Sequence, residues 1–147
     1  MVIEIAGPVA VLAAALFAGG AVYVSLVEHP ARMECGTELA ATEFGPSYRR
    51  GAVMQASLAI LATVAGLACF AAGGGPLWLW GGLAAFAAVP FTLVVILPTN
   101  KLLLEPARDR GSAETRALLV RWGRLHAVRT LLGLASAALL VAALARQ

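Results

Sequence analysis

The sequence predicts an all-α integral membrane protein, a four-helix transmembrane bundle in up-down-up-down order with the N- and C-termini on the same side. Two observations lead to this fold class. Apolar residues make up 61% of the 147-residue chain and charged residues only 13%, whereas about 25% of an ordinary soluble domain is charged. Residues 51–100 contain no charged side chain, although one spanning helix needs only about 20 apolar residues. We therefore expect lipid to surround this chain, and residues 51–100 to cross it twice.

A single membrane domain, residues 1–147, accommodates the predicted spans. The first span is uncharged and lacks the Lys or Arg that begins a secretory signal peptide, so we interpret it as retained. The run Gly73-Gly74-Gly75-Pro76 separates the second span from the third, because Gly favours positive φ and Pro removes a backbone donor. The fourth span is uncharged only after Arg129, but its helical pattern extends back to about residue 112. The predicted spans are residues 5–27, 51–72, 77–97 and 125–145.

The distribution of basic residues predicts the orientation. The crossings place two polar connections, predicted as loops at residues 28–50 and 99–124, on one side of the bilayer. Arg146 is the only basic side chain near the other side. Since Lys and Arg are enriched in cytoplasmic loops, both connections are predicted to be cytoplasmic and both termini external, in the cytoplasmic (inner) membrane. The basic residues of the two connections are Arg32, Arg49, Arg50, Lys101, Arg108, Arg110, Arg116, Arg121 and Arg124.

Composition also bears on the partners. The lipid bilayer is the first expected partner, and a hydrophobic small-molecule substrate is the second. No nucleic acid is expected, because the basic residues form no run interleaved with aromatic side chains. Solute transport is disfavoured, because four spans enclose little volume and none of them carries a carboxylate. A homo-oligomer is compatible with the sequence.

Side chains able to do chemistry gather near the predicted cytoplasmic surface. In the fourth helix, Trp122, His126 and Arg129 are spaced by four and three residues, so they share one helix face. An Arg within a span usually faces protein or water, which favours a stripe directed into the bundle. The remaining members of this constellation lie at or near the ends of the other spans, and they are Glu28, His29, Tyr48, Gln55, Thr99 and Asn100.

Each of these residues also has an ordinary structural explanation. Arg129 can extend its charged head to lipid phosphates, and either histidine can serve only as a structural or surface residue. Tyr48 and Trp122 are of the types that anchor helices at the membrane interface. Asn100 is of a type that terminates helices by bonding local backbone groups.

Short segments in all four parts of the chain resemble the anthrone-oxygenase-like family of small membrane proteins, which is largely a domain of unknown function. The segments occur in the family's order and cover nearly the whole chain. The resemblance implies a four-helix fold and an oxidoreductase activity in which O₂ oxidises an acidic aromatic CH₂ to a quinone without a cofactor. The segments are Glu28-His29-Pro30-Ala31-Arg32, Pro46-Ser47-Tyr48, Pro98-Thr99-Asn100-Lys101 and Trp122-Gly123-Arg124-Leu125-His126-Ala127-Val128-Arg129-Thr130.

The resemblance assigns roles on a hydrophobic, anthrone- or quinol-like substrate. His126 is the candidate base for the benzylic proton, because neutral imidazole accepts protons near physiological pH. Arg129 would stabilise the resulting oxyanion, and His29 is the third candidate catalytic residue. The candidate substrate-binding residues are Tyr48 and Asn100, which would position ring oxygens, Trp122, which would stack on the ring, and Gln55 beside them.

Two other hypotheses stay open on the sequence alone. In the first, His29 and His126 ligate haem or copper, with Met33, Cys35 or Glu28 as further ligands. The chain has only two histidines and no compact His-x-x-His or Cys-x-x-Cys spacing, so no metal site is predicted. In the second hypothesis the protein is a non-catalytic scaffold or small subunit whose polar end contacts a partner protein.

The predicted orientation can be tested by labelling Cys35, which lies in the connection 28–50. A membrane-impermeant maleimide should label Cys35 in inside-out vesicles and leave it unlabelled in intact cells, because the connection is expected to face the cytoplasm. A Cys35→Ser variant, which must lose the signal, is the control. Labelling from the outside of intact cells would invert the topology.

Overall fold

The computed structural model describes residues 1–147, and its regular structure is helical throughout. Each of its long helices has the length and apolar composition needed to cross a membrane. This confirms the predicted all-α class and identifies the chain as an integral membrane protein. The long helices are α1 (Val2–Glu34), α2 (Thr37–Ala71), α3 (Pro76–Leu103) and α4 (Ala113–Leu144).

The helices form a closed ring in chain order. Each helix packs against the next, and α4 packs back against α1. A Cβ built on Gly7 would lie 3.0 Å from the Trp78 side chain and 3.4 Å from that of Leu144, so the start of α1, the start of α3 and the end of α4 meet. We call this the glycine end, because the turn at residues 73–75 lies there too, and we call the opposite end the polar end.

The turn at the glycine end lies where the sequence predicts it. Helix α2 ends at Ala71, and Gly73 and Gly75 have φ angles of 88° and 87°, a region that side chains with a Cβ avoid. Helix α3 begins at Pro76, where the missing N–H would have no helical partner in any case. The chain therefore reverses without leaving a donor unsatisfied at that position.

The prediction that residues 28–50 form a loop is wrong. Helix α1 continues to Glu34, and α2 begins at Thr37, after a short break in which Gly36 has a φ of 99°. Helix α2 has 35 residues, a length of about 52 Å at 1.5 Å per residue, whereas a hydrocarbon core is about 30 Å thick. The polar residues 28–50 are thus mostly helix that extends beyond the hydrocarbon core. Their polarity had suggested a loop.

The second polar connection is also shorter than residues 99–124. Helix α3 runs to Leu103, and α4 begins at Ala113, close to the expected residue 112. The Ser112 hydroxyl oxygen accepts the Thr115 backbone N–H at 3.1 Å, which satisfies one of the unpaired donors of a helix start. Only the short stretch between these helices is irregular.

Widened π-turns interrupt α1 at Val24–Glu28 and α3 at Thr92–Ile96. Each ends two residues before a proline, Pro30 or Pro98. Because proline lacks an N–H, the carbonyl four residues earlier loses its partner, and a π-turn is a common local response that recurs at functional sites. Both turns lie in the half of the bundle nearer the polar end.

Small residues permit a close helix contact between α2 and α3. A Cβ on Gly66 would lie 3.2 Å from the Trp78 carbonyl oxygen and 3.3 Å from the Gly82 Cα, and both neighbours are backbone. In lipid the hydrophobic effect does not drive helices to associate, so van der Waals contacts of this kind stabilise the bundle instead. The sequence alone predicts helix contacts at small residues of the spans. Of the predicted contact residues, Gly7, Ala62, Gly66 and Gly82 are buried, whereas Ala15, Gly19 and Ala135 are exposed.

Substitution at the α2–α3 crossing should separate the helices. Gly66→Ala is expected to lower the free energy of unfolding by about 1–2 kcal/mol, because backbone atoms cannot yield to the new methyl group. Gly19→Ala is the matched control, since its Cβ would meet nothing within 4 Å. The measurement is the unfolding midpoint in SDS/detergent mixtures, and equal midpoints for the two variants would contradict the packing role.

Candidate functional site

A cavity of about 680 Å³ lies in the polar half of the bundle, and all four helices contribute to its wall. This volume is within the range of about 300–1,000 Å³ that is usual for small-molecule sites. Apolar and aromatic residues form much of the wall. Most of the predicted site residues also line it, namely Tyr48, Gln55, Asn100, Trp122, His126 and Arg129.

His126 makes hydrogen bonds through both ring nitrogens. Its Nδ1 lies 3.0 Å from the Ser25 Oγ, and its Nε2 lies 3.1 Å from the Arg129 Nη2. A guanidinium can only donate, so Nε2 is the acceptor in that contact. His126 is buried, with 2% of its surface exposed, and it remains part of the cavity wall.

Trp122 is the centre of an aromatic cluster behind His126. Its ring stacks on the His126 ring, with centroids 4.8 Å apart and planes at 28°, and it meets Phe44 edge-on at 5.3 Å. Phe44 in turn stacks on Tyr48 at 5.8 Å. These contacts join α4 to α2 and hold flat aromatic surfaces at the cavity, where a planar ligand can stack.

His29 is the one predicted catalytic residue that does not line the cavity. Its ring lies 5.1 Å from the Trp122 ring and against Gly123, whose Cβ would meet the His29 Nε2 at 2.7 Å. The Trp122 indole thus contacts both imidazoles, and both nitrogens of His126 already have partners. This arrangement supplies no support for His29 and His126 as joint ligands of haem or copper.

Arg129 has no carboxylate partner, in contrast to Arg32. The Arg32 guanidinium lies 2.6 Å from Glu43 and 3.4 Å from Glu28, and it also lies over the Trp122 ring. The Arg129 guanidinium contacts His126, no acid lies within ion-pair distance, and its Nε is buried without a partner. Since an unpaired charge away from water is costly, Arg129 has an unused capacity to bind an anion.

Buried amides at the cavity also have unused hydrogen-bonding capacity. Gln55 donates weakly to the Phe17 carbonyl at 3.4 Å, and its Oε1 has no partner. Asn100 is 1% exposed and its Oδ1 is unpaired. Asn100 lies inside the last turns of α3 rather than terminating the helix. Both amides can therefore bond a polar group on a ligand in the cavity.

The sequence did not predict several polar contacts around the cavity. The Glu28–Arg32 pair has the i, i+4 spacing that signals a helical ion pair, but the polar turn was assigned to a loop. Ser25 and Glu43 gave no local signal, because their partners lie on other helices. Thr130 follows His126 by one helical turn, and this spacing was a signal that went unused.

The fold and cavity define a class: a membrane protein of four long helices with an aromatic-walled cavity between them. Residues 44–139 match the family model described as Anthrone oxygenase. The chain belongs to the anthrone oxygenase family, and it is an oxygenase-like membrane protein.

Named relatives agree with the family match. The chain is 30% identical over 132 residues to anthrone oxygenase tpcL of Aspergillus fumigatus, which covers 83% of this chain and 82% of the relative. It is 28% identical over 144 residues to an anthrone oxygenase of Claviceps purpurea, covering 88% and 83%. It is 38% identical over 78 residues to anthrone oxygenase nsrD of Aspergillus novofumigatus, covering 49% and 48%. No solved structure matches the chain.

Removing the Arg32 side chain should destabilise the polar end. Arg32→Met leaves Glu28 and Glu43 without their cation, and the expected loss is about 1–3 kcal/mol, because Glu43 stays partly in water. Arg121→Met is the control, since Arg121 is exposed and makes no ion pair. Unfolding in detergent measures the loss, and an Arg32→Met midpoint equal to that of the control would contradict the ion-pair role.

Proposed function

We propose that this protein is an oxidoreductase that uses O₂ to oxidise a hydrophobic aromatic substrate, most simply at the acidic CH₂ group of an anthrone-like ring. The observation that carries the proposal is the contact of Arg129 with His126 in the cavity wall, a cation without a counterion beside a neutral imidazole. A substrate that becomes an anion when it loses a proton suits both groups. The names of the relatives support the same chemistry.

The proposed reaction converts CH₂ to C=O with one molecule of O₂. Two C–H bonds are broken and one oxygen atom enters the product, while the other oxygen atom leaves as water. The ring is oxidised by four electrons, and these electrons reduce O₂. The first step is removal of a benzylic proton, which yields an anion whose charge is delocalised onto the ring oxygen.

His126 is the proposed base and Arg129 the proposed oxyanion stabiliser. In the free protein the Arg129 N–H occupies the Nε2 lone pair, so a substrate oxygen must first draw the guanidinium away. Proton transfer would then create an imidazolium near Arg129, and the new oxyanion offsets the repulsion between these two cations. Deprotonation of the substrate by His126 is therefore coupled to the movement of the Arg129 hydrogen bond from His126 to the substrate oxygen.

The aromatic wall and the amides would orient the substrate. Trp122 would contact the substrate ring through the part of its indole that the His126 ring and the Arg32 guanidinium leave uncovered, and Phe44 and Tyr48 supply further aromatic surface in the cavity wall. The Tyr48 hydroxyl would donate to a ring oxygen, and the unpaired amide oxygens of Asn100 and Gln55 would accept from hydroxyl groups on the ring. We further propose that no cofactor takes part and that the site lies at the cytoplasmic face of the inner membrane.

Substitution of His126 and Arg129 tests the proposed function. With an anthrone-type probe in proteoliposomes, His126→Ala should lower kcat roughly 100-fold or more, the usual range for a lost base. Arg129→Gln should lower it by about 10²–10³, as for a lost oxyanion donor. Arg121→Gln, an exposed residue, is the control. O₂ uptake and quinone absorbance are measured, with the protein-free oxidation rate subtracted.

Other results of these experiments would contradict parts of the proposed function. Unchanged turnover in His126→Ala would remove it as the base, and a loss in His29→Gln alone would move that role to His29. Activity that a chelator abolishes and copper or iron restores would replace the cofactor-free reaction. A wild-type protein without any turnover above the protein-free rate would favour the scaffold hypothesis.

A further inference from the structure

A chain of hydrogen bonds runs behind His126, away from the cavity. The His126 Nδ1 lies 3.0 Å from the Ser25 Oγ, which lies 2.8 Å from the Thr130 Oγ1. The Thr130 hydroxyl lies 3.2 Å from the Ala21 carbonyl oxygen and 3.1 Å from the His126 carbonyl oxygen. This series of hydrogen bonds therefore connects α1 to α4 and ends at backbone carbonyl oxygens.

The groups at the two ends of this series allow its hydrogen bonds to run in only one direction. Arg129, on the Nε2 side, can donate but cannot accept, and the backbone carbonyls at the other end can accept but cannot donate. Arg129 therefore donates to Nε2, the His126 Nδ1–H donates to Ser25, Ser25 donates to Thr130, and Thr130 donates to a carbonyl. With the opposite order, two N–H groups would face each other at Nε2.

The fold holds the members of the chain in place. Ser25 lies in the π-turn Val24–Glu28 of α1, and Thr130 is buried one turn after His126 on α4. Trp122 stacks against the imidazole ring. The stacking of Trp122 and the Nδ1 hydrogen bond thus restrain the His126 ring. Nε2 is then its only unprotonated, basic nitrogen.

We propose that Ser25 and Thr130 are positioning residues that hold neutral His126 in the Nδ1–H tautomer. The hydrogen bond made by one ring nitrogen determines which nitrogen carries the proton, and here that bond reserves Nε2 for proton acceptance. When Nε2 is protonated, Nδ1–H keeps its acceptor in Ser25. The tautomer assignment stands on geometry alone, whereas its kinetic consequence rests on the proposed role of His126 as the base.

Nitrogen-15 NMR of the full chain, labelled at histidine and held in detergent micelles, reads the tautomer directly. The signals that disappear in His126→Gln are those of His126. The wild type should show a protonated Nδ1 and an unprotonated Nε2, while Ser25→Ala and the near-isosteric Thr130→Val should lose this pattern in part or entirely. Ser57→Ala is the matched control, because Ser57 is an exposed serine with no side-chain hydrogen bond.

A wild-type His126 protonated at Nε2 would overturn the proposal. So would an unchanged Nδ1–H pattern in both Ser25→Ala and Thr130→Val. The use of two variants on different helices keeps the test valid if one of them fails to fold, and recovery of the wild-type pattern in Thr130→Ser would support the role of the hydroxyl group.

Kinetics with the anthrone-type probe separate this inference from the proposed function. Ser25→Ala should lower kcat roughly 10- to 100-fold, the range found when a partner that orients an imidazole is removed, with KM changed less than threefold. Ser25→Thr should restore most of the loss. An altered tautomer with unchanged turnover would support the positioning role and overturn His126 as the base.

Discussion

Lipid offers no hydrogen-bonding partner, and this constraint determines most of the structure. Backbone groups at the level of the hydrocarbon must pair within the chain, which requires helices, and the helices gain nothing from hydrophobic burial against one another. Their contacts therefore depend on small residues such as Gly66 and Gly82. The same constraint applies to polar side chains, which turn inward and bond one another across helices, as Ser25, His126 and Thr130 do.

Two arginines that line the cavity, Arg32 and Arg129, meet this constraint in different ways. Arg32 is neutralised by Glu28 and Glu43, so it can join α1 to α2 and close the polar end. Arg129 donates to the imidazole of His126 and lies 5.9 Å from the centroid of the Phe17 ring, and no carboxylate lies within ion-pair distance. Both guanidinium groups have a buried Nε without a partner, but of the two only Arg129 also lacks a carboxylate, so its charge is left uncompensated at one place in the cavity wall. In our proposal that place is where the substrate anion forms.

The sequence predicted the architecture well because apolar length and glycine turns are local signals. The stripe of Trp122, His126 and Arg129 was equally accessible, since residues spaced by three and four share a helix face whatever surrounds them. Contacts between helices were not accessible, because they depend on the rotation of each helix about its axis. Gly19 was therefore assigned to a contact although it is exposed, and the Ser25 contact was missed.

The π-turns at Val24–Glu28 and Thr92–Ile96 have a consequence for how such a site can arise. A π-turn is in effect one residue added to an α-helix, and one residue corresponds to about 100° of rotation at 3.6 residues per turn. The part of α1 beyond its π-turn, with Arg32, therefore faces a different direction from the one a continuous α-helix would give it. One residue inserted into such a helix is therefore enough to rotate the polar segment beyond it about the helix axis, while the glycine end keeps its packing.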